Sequence, residues 1–273
     1  MNPNVPLVDL ALSRRLERAE AHANRRFVES RARRVPDLGA AWIEAGGAYA
    51  MFDGVGSPLT QTFGLGVFEP VTASILETLE RFFTSRGADI FHEVSPLADP
   101  SALALLNERG YRPCELSTIL FQPLPADAPA GPLPADTEVR LAREDERDLW
   151  AATTLQGWSE CPEVLDFISS FGPTAAGAED THQFMAVQRR APIAAGSLSL
   201  HGDVALLAGA STVPGARGQG AQRALLGARL AFAGEQGCSV AMMAAAPGSG
   251  SQRNAERSGF RIAYTRIKWH RAR

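Results

Sequence analysis

Residues Gly209–Leu226 read GASTVPGARGQGAQRALL. The run Val204–Val213 predicts a strand, and Pro214 ends it. Arg217-Gly218-Gln219-Gly220 then turns the chain, and Ala221, Leu225, Ala228 and Phe232 recur at helical spacing as far as Gly237, a left-handed stop. A strand that turns through two glycines into a helix leaves the amides of residues 218–222 without intrahelical partners, at the positive end of the helix dipole. Glycine lets a ligand approach the backbone closely, so this terminus suits a pyrophosphate, with Arg217 adding a charge at its edge. Two commoner phosphate sites do not fit. A Walker loop needs Gly-Lys-Ser/Thr, and the one lysine of the chain is Lys268; a dinucleotide fingerprint needs a third glycine where Arg223 stands. The spacing argues against ATP hydrolysis and NAD binding.

Ser239–Ala245 reads as a buried strand after Gly237. Upstream, Glu138–Leu141, Gln183–Gln188 and Ile193–Leu200 read as strands, Asp145–Gln156 as a helix, and Gly202-Asp203 as the turn into Val204. Near the N-terminus, Asp9 can cap a helix reaching about Arg34, with Leu12, Leu16, Ala19, Ala23 and Phe27 on one face. A hairpin fits between Ala48 and Val67, a helix from about Val71 to Arg86, and a strand at Ile90–Val94. The stretch PLPADAPAGPLPAD, residues 123–136, is too rich in proline for either element and marks the boundary between two halves.

The two halves repeat each other. Gly87 is followed by ADIFHEV and then by Gly110-Tyr111-Arg112; Gly237 is followed by CSVAMMA and then by Gly259-Phe260-Arg261, with separations of 23 and 22 residues. Each copy orders helix, glycine stop, buried strand, short helix, Gly-aromatic-Arg and a final strand, at Leu116–Phe121 and Ala263–Trp269. Two copies of one mixed α/β unit follow, with domains at 1–124 and 137–273 joined by a linker at 125–136.

Composition excludes several classes. The chain has 273 residues, 45% hydrophobic and 21% charged, with a net charge of -3, which argues against nucleic acid as a partner. No apolar stretch approaches the roughly 18 residues of a membrane span, and no signal peptide is legible, so a cytoplasmic protein is expected. Cys114, Cys161 and Cys238 form neither a metal pair nor a disulfide framework; no metal site is expected. Residues 1–136 hold 12 Arg against 17 acidic residues, a net -5, and residues 137–273 hold 15 basic against 13 acidic, a net +2. The half with the glycine loop is the better host for an anion.

The pattern V-P-x-x-R-G-x-G after a strand, followed by helix, strand, helix and Gly-Phe, resembles the GCN5-related N-acetyltransferase (GNAT) family over residues 137–269, and more weakly over the first half. The resemblance implies two tandem GNAT-like domains, α/β with a mixed sheet. It places the pyrophosphate of acetyl-CoA on Gly218, Gln219, Gly220, Ala221 and Gln222 with Arg217 beside it, although the Gln or Arg that the family carries three residues before Gly218 is Gly215 here. It lays the pantetheine arm along Ser211, Thr212 and Val213, with the Val213 amide as donor to the thioester oxygen.

Stepping back from Gly87 by the 19 residues that separate Gly218 from Gly237 sets Val67-Phe68-Glu69-Pro70 opposite Arg217-Gly218-Gln219-Gly220. Pro70 has no amide, Glu69 repels a phosphate and Phe68 blocks backbone approach, so the first copy is expected to be degenerate and to bind no coenzyme.

Acetyl transfer to an amine needs a base for the nucleophile and an acid for the thiolate. The tyrosine that the family often places five residues before the Gly-Phe aromatic is Ala255. Ser251 and Glu256 resemble the family branch with serine and glutamate at those spacings, Asn254 faces a neighbouring direction toward the cofactor, and Ser251 is equally readable as a helix cap. Tyr264 is a substitute acid if it faces the cleft, and Glu160, beside Trp158 and Cys161, is the candidate base. The expected function is transfer of an acetyl group from acetyl-CoA to a primary amine, on a small molecule or a peptide, by direct attack through a tetrahedral intermediate, in a monomer or homodimer. The alternative is an acyl-CoA-binding sensor without turnover.

Overall fold

A computed structural model describes residues 7–124, 135–162 and 165–273. Most of the stretch expected as a linker lies outside the described residues. The chain forms two compact units, Met1–Phe121 with Ala244–Arg273, and Gln122–Met243. The last thirty or so residues therefore belong with the first unit, where the sequence placed them in the second domain.

In chain order the first unit begins with α1 (Leu10–Arg34), β1 (Ala41–Ala45), β2 (Ala48–Phe52), β3 (Gln61–Phe63), α2 (Ala73–Thr84), β4 (Ile90–Val94), α3 (Pro100–Glu108) and β5 (Arg112–Pro123). Asp9 caps α1 as its sequence predicts, accepting from the Leu12 amide at 2.8 Å. β2 and β3 form the expected antiparallel hairpin, and β1 pairs with the other edge of β2. The second unit contains β6 (Thr137–Leu141), α4 (Arg147–Gly157), α5 (Leu165–Ala176), β7 (Thr181–Gln188), β8 (Ala191–His201), β9 (Val204–Thr212), α6 (Ala221–Glu235) and β10 (Val240–Ala245). Its strands lie in the order β10-β9-β8-β7-β6. α5 carries Pro173 inside it and has no counterpart among the elements expected from the sequence; Gly172 is needed there, since a Cβ would stand 2.9 Å from that of Ala151 on α4. The chain ends with α7 (Gly250–Arg257) and β11 (Arg261–Arg271).

The internal repeat is visible in the backbone. Gly87 and Gly237 end α2 and α6 at φ +70° and +83°, and the following amides, Ala88 and Cys238, reach back to the carbonyls of Phe83 and Ala233 at 3.1 and 3.0 Å. Gly110 and Gly259 do the same for α3 and α7, with Tyr111 to Leu106 and Phe260 to Ala255 at 2.9 and 3.1 Å. These are the paired bonds of a glycine-terminated helix, and only glycine adopts the left-handed turn without strain.

The final strands are not equivalent. β11 lies antiparallel between β4 and β5, with Ile267 opposite both Val94 and Leu116. The last strand of the second copy is thus built into the sheet of the first. Arg266, nine-tenths and more buried, holds it there. Its guanidinium faces Glu20 at 2.9 Å and Glu17 at 3.4 Å, both on α1, and Glu93 on β4 at 3.4 Å, and lies 5.2 Å from the Phe63 ring centre. Burial, against the opposing pull of Arg266, pushes the Glu17 carboxyl above its ordinary range.

On β4, His92 is fully buried and contacts the Tyr111 hydroxyl at 3.2 Å, which donates to Glu80 at 3.1 Å. Burial, assisted by Arg271, lowers the His92 pKa to about 3, so it is neutral in the fold.

Two outcomes follow for stability. Replacing Arg266 with Met leaves buried carboxylates without their cation and is expected to cost about 3–5 kcal/mol in urea unfolding. Because unfolded His92 takes up a proton near pH 6.5 while folded His92 does not until about 3, stability is lost as pH falls through 6.5, at up to about 1.4 kcal/mol per pH unit. A His92→Gln variant, followed by urea unfolding from pH 7 to 5, should show a correspondingly shallower decline than the parent.

Candidate functional site: an uncapped helix terminus

The site in the second unit starts from a defect in β9. Ala195 pairs with Ser211 and Ser197 with Ala208, so Gly209 and Ala210 stand opposite Gly196 alone, and Gly209 takes φ +60°. This is a β-bulge, which bends its strand and disturbs the ladder. The carbonyls of β8 at the bulge are met by side chains: that of Gly196 accepts from the Trp150 indole at 3.3 Å, and that of Ser197 from the Arg229 guanidinium at 3.0 Å. Arg229 is buried on α6, and burial brings its pKa down to about 10, so it stays charged at neutral pH. Sequence reading missed both residues; the signal was an arginine four residues after Leu225, on the buried face of the helix. On its other side β9 pairs in parallel with β10 over Val204–Leu206 and continues beyond that pairing to Thr212.

After Thr212 the chain makes one tight turn at Pro214–Ala216 and enters the loop. Gly218 and Gly220 take φ +75° and +87°, and the space where a Gly218 Cβ would project is open to 4 Å. Glycine at 218 therefore answers the backbone angle and leaves the approach clear. Gly220 caps α6 with no side-chain acceptor, and the first helical bond runs from Ala224 to Gly220. The amides of Ala221, Gln222 and Arg223 precede it, at the positive end of the dipole. Gln219 braces the loop by donating to the Gly215 carbonyl at 3.1 Å, and Thr212 donates to Gln222 at 3.4 Å. Gly218, Gln219, Gly220, Ala221 and Gln222 thus make up a glycine-entered turn into the start of α6.

The neighbouring candidates fall differently. The Ser211 side chain is buried and donates to the Thr154 carbonyl on α4 at 3.1 Å. The Val213 amide, expected to face a thioester oxygen, donates to the Ile193 carbonyl at 2.9 Å, because the β8–β9 ladder extends one residue past the strand end. Arg217 is turned toward the end of α4. Its Nη2 donates to the Gly157 carbonyl at 2.9 Å, its Nε to the Thr212 carbonyl at 3.3 Å, and its Nη1 to the carboxylate of Glu160.

Three other candidates belong to the first unit. Tyr264 does not serve as a cleft acid: its hydroxyl is buried and donates to Glu17 at 2.8 Å, and desolvation followed by the Glu17 charge raises its pKa. The physical reason is the placement of β11, which turns this side chain toward α1. On α7, Ser249 and not Ser251 is the cap, accepting from the Gln252 amide at 3.1 Å. Ser251 and Asn254 are exposed on that helix. In the second unit, His182 packs against Phe232 at 4.9 Å between ring centres, and burial lowers its pKa.

The corresponding turn of the first copy is closed. Thr72 caps α2, its hydroxyl accepting from the Ile75 amide at 3.3 Å. The Phe68 ring lies beneath the Arg18 guanidinium at 4.0 Å, and a Cβ on Gly47 would fall 2.5 Å from that of Phe68.

An α/β fold whose bulged strand runs into an uncapped, glycine-entered helix defines a class, and solved structures name it. A GCN5-related N-acetyltransferase from Kribbella flavida superposes with TM-score 0.64 over 89% of this chain and 94% of its own, at 19% identity. A tandem GNAT protein from the clavulanic acid biosynthesis pathway gives 0.59 over 82% and 78%, at 14% identity, and a GNAT-family protein from Novosphingobium aromaticivorans, described as a putative acetyltransferase, gives 0.52 over 91% and 97%, at 17% identity. No protein-family model and no curated protein matches the sequence. The chain has the GNAT fold. Among the described residues no group of His, Cys, Asp and Glu is arranged to hold a metal, and no helix is long and apolar enough to cross a membrane.

Gly157 lets α4 touch β9: a Cβ there would stand 2.5 Å from that of Ser211 and 3.2 Å from the Thr212 amide. A Gly157→Ala variant is expected to lose about 1–3 kcal/mol of stability in urea unfolding, through this overpacking.

Proposed function

We propose that the second unit binds acetyl-CoA and that the protein transfers its acetyl group to a primary amine. The observation that carries this reading is the α6 terminus: two left-handed glycines, no capping side chain and open space before Gly218, immediately after a bulged strand. The amides of residues 218–222 would hold the pyrophosphate, and the end of β9 near Ser211 and Thr212 would line the pantetheine arm through its backbone. Acetyl-CoA supplies an acyl group already activated as a thioester.

This chain's own contribution is to position the acceptor and to take its proton. Glu160, an exposed carboxylate next to the cofactor turn, is the proposed base. It accepts a proton from the ammonium; the neutral amine attacks the thioester carbonyl directly, forming the C–N bond of a tetrahedral intermediate, which then expels the thiolate as the C–S bond breaks, the second nitrogen proton passing to the departing sulfur. The displaced proton passes from Glu160 to water, so the turnover releases one proton. Ser251 and Asn254 lie on α7 of the first unit and are given no role in this proposal. The first copy contributes its fold, with its own turn filled by Phe68 and capped by Thr72.

A second reading, an acyl-CoA sensor without turnover, draws on Tyr264, the one tyrosine among the candidate acids, being tied to Glu17. Thiol release from acetyl-CoA across a panel of primary amines separates the two: acceptor-dependent release supports the transferase, and coenzyme binding without release supports the sensor.

By calorimetry, Gly220→Asp, which adds a capping carboxylate to the terminus, should weaken coenzyme A binding at least about tenfold, given the ~1 kcal/mol scale of both cap and dipole effects. Glu69→Ala, in the first copy, should leave it unchanged.

A further inference from the structure

We propose that Arg217 and Glu160 form a latch that the cofactor opens, so that the base becomes available only after acetyl-CoA has bound. The inference rests on the acetyl-CoA reading above and concerns the order of events at that same site. Arg217 directly precedes Gly218 of the cofactor turn, yet its guanidinium is fully engaged by the protein. Two of its three nitrogens hold main-chain carbonyls, those of Gly157 and Thr212, at 2.9 and 3.3 Å. The third holds the Glu160 carboxylate. The carbonyls are fixed by α4 and β9 and anchor the head of the arginine beside the loop. Glu160 is different: it lies beyond the end of α4, and both its side chain and that of Arg217 are well exposed, at 61% and 45%.

An exposed ion pair contributes little and is readily exchanged. A pyrophosphate held on the amides of residues 218–222 carries more charge than one carboxylate and is supported by the helix dipole, so it outcompetes Glu160 for the free edge of the guanidinium. Arg217 then keeps its two carbonyls and changes only its anionic partner. Glu160, no longer held by Arg217, has its carboxylate oxygens free to accept a proton from the acceptor ammonium. One exchange thus couples cofactor binding to activation of the base and keeps the carboxylate occupied while no acyl donor is present.

The test uses the full chain and coenzyme A as the probe, with affinities from isothermal titration calorimetry for the parent, Glu160→Gln, Arg217→Gln and the double variant, and urea midpoints as a check on folding. In the latch, Glu160 competes with the coenzyme, so Glu160→Gln should bind about three- to tenfold more tightly than the parent. Arg217→Gln should bind more weakly, and adding Glu160→Gln to it should change nothing further. Equal or weaker binding by Glu160→Gln, with the parent binding measurably, overturns the latch and leaves the cofactor site standing. A gain from Glu160→Gln that persists in the Arg217→Gln background also overturns it, since the effect would then be general charge repulsion. Absence of binding in all four proteins overturns the acetyl-CoA reading and the latch with it.

Discussion

The arrangement of the first unit depends on one buried cation. Arg266 has no access to water and must be neutralised inside the protein, and its partners come from α1 and β4. A buried guanidinium without such partners would be strongly unfavourable. With three carboxylates converging on it, β11 has one well-compensated position, between β4 and β5. Tyr264, two residues earlier on the strand, is drawn to Glu17 by the same placement, and Lys268, two residues later, meets Glu93 at 3.5 Å and Glu115 at 2.6 Å. The C-terminal end of the chain is thereby tied to its N-terminal helix.

The two copies share their helix stops and differ at their helix starts. The four glycine-terminated helices α2, α3, α6 and α7 end alike, with the same backbone bonds. The start of α2 is capped by Thr72, and Phe68 packs under Arg18, whereas the start of α6 is entered through two left-handed glycines and no capping side chain. Ending a helix alike keeps the fold; leaving one start open makes a place for an anion. The bulge before that open start leaves β8 carbonyls to the Trp150 indole and the Arg229 guanidinium, so two buried polar side chains support the strand irregularity.

Much of this was legible in the residues. The cap at Asp9, the stops at Gly87 and Gly237, the repeat and the turn at Gly218–Gly220 depend on local backbone chemistry, and each lies where the sequence reading put it, to within a few residues. α5 was not legible because its Gly172 and Pro173 are loop residues by every local rule, and only the close approach of Ala151 explains the glycine. The proton-transfer candidates were the least legible. Tyr264 sits on a strand with no local mark of its buried carboxylate partner, whose position is 247 residues away. The Val213 amide looked free because the sequence cannot say that Ile193 will reach it.

By itself the sequence determined the identity of the repeated unit and which copy enters its helix through glycines, because both follow from glycine, proline and capping residues acting within a turn or two of their own position. Only the tertiary structure decided which unit receives the last strand, and with it where Tyr264, Ser251 and Asn254 reside. It also decided that Arg217 meets Glu160. Those outcomes come from charges and carbonyls that are distant along the chain, and they are selected by the cost of burying or stranding a charge, which no local pattern records.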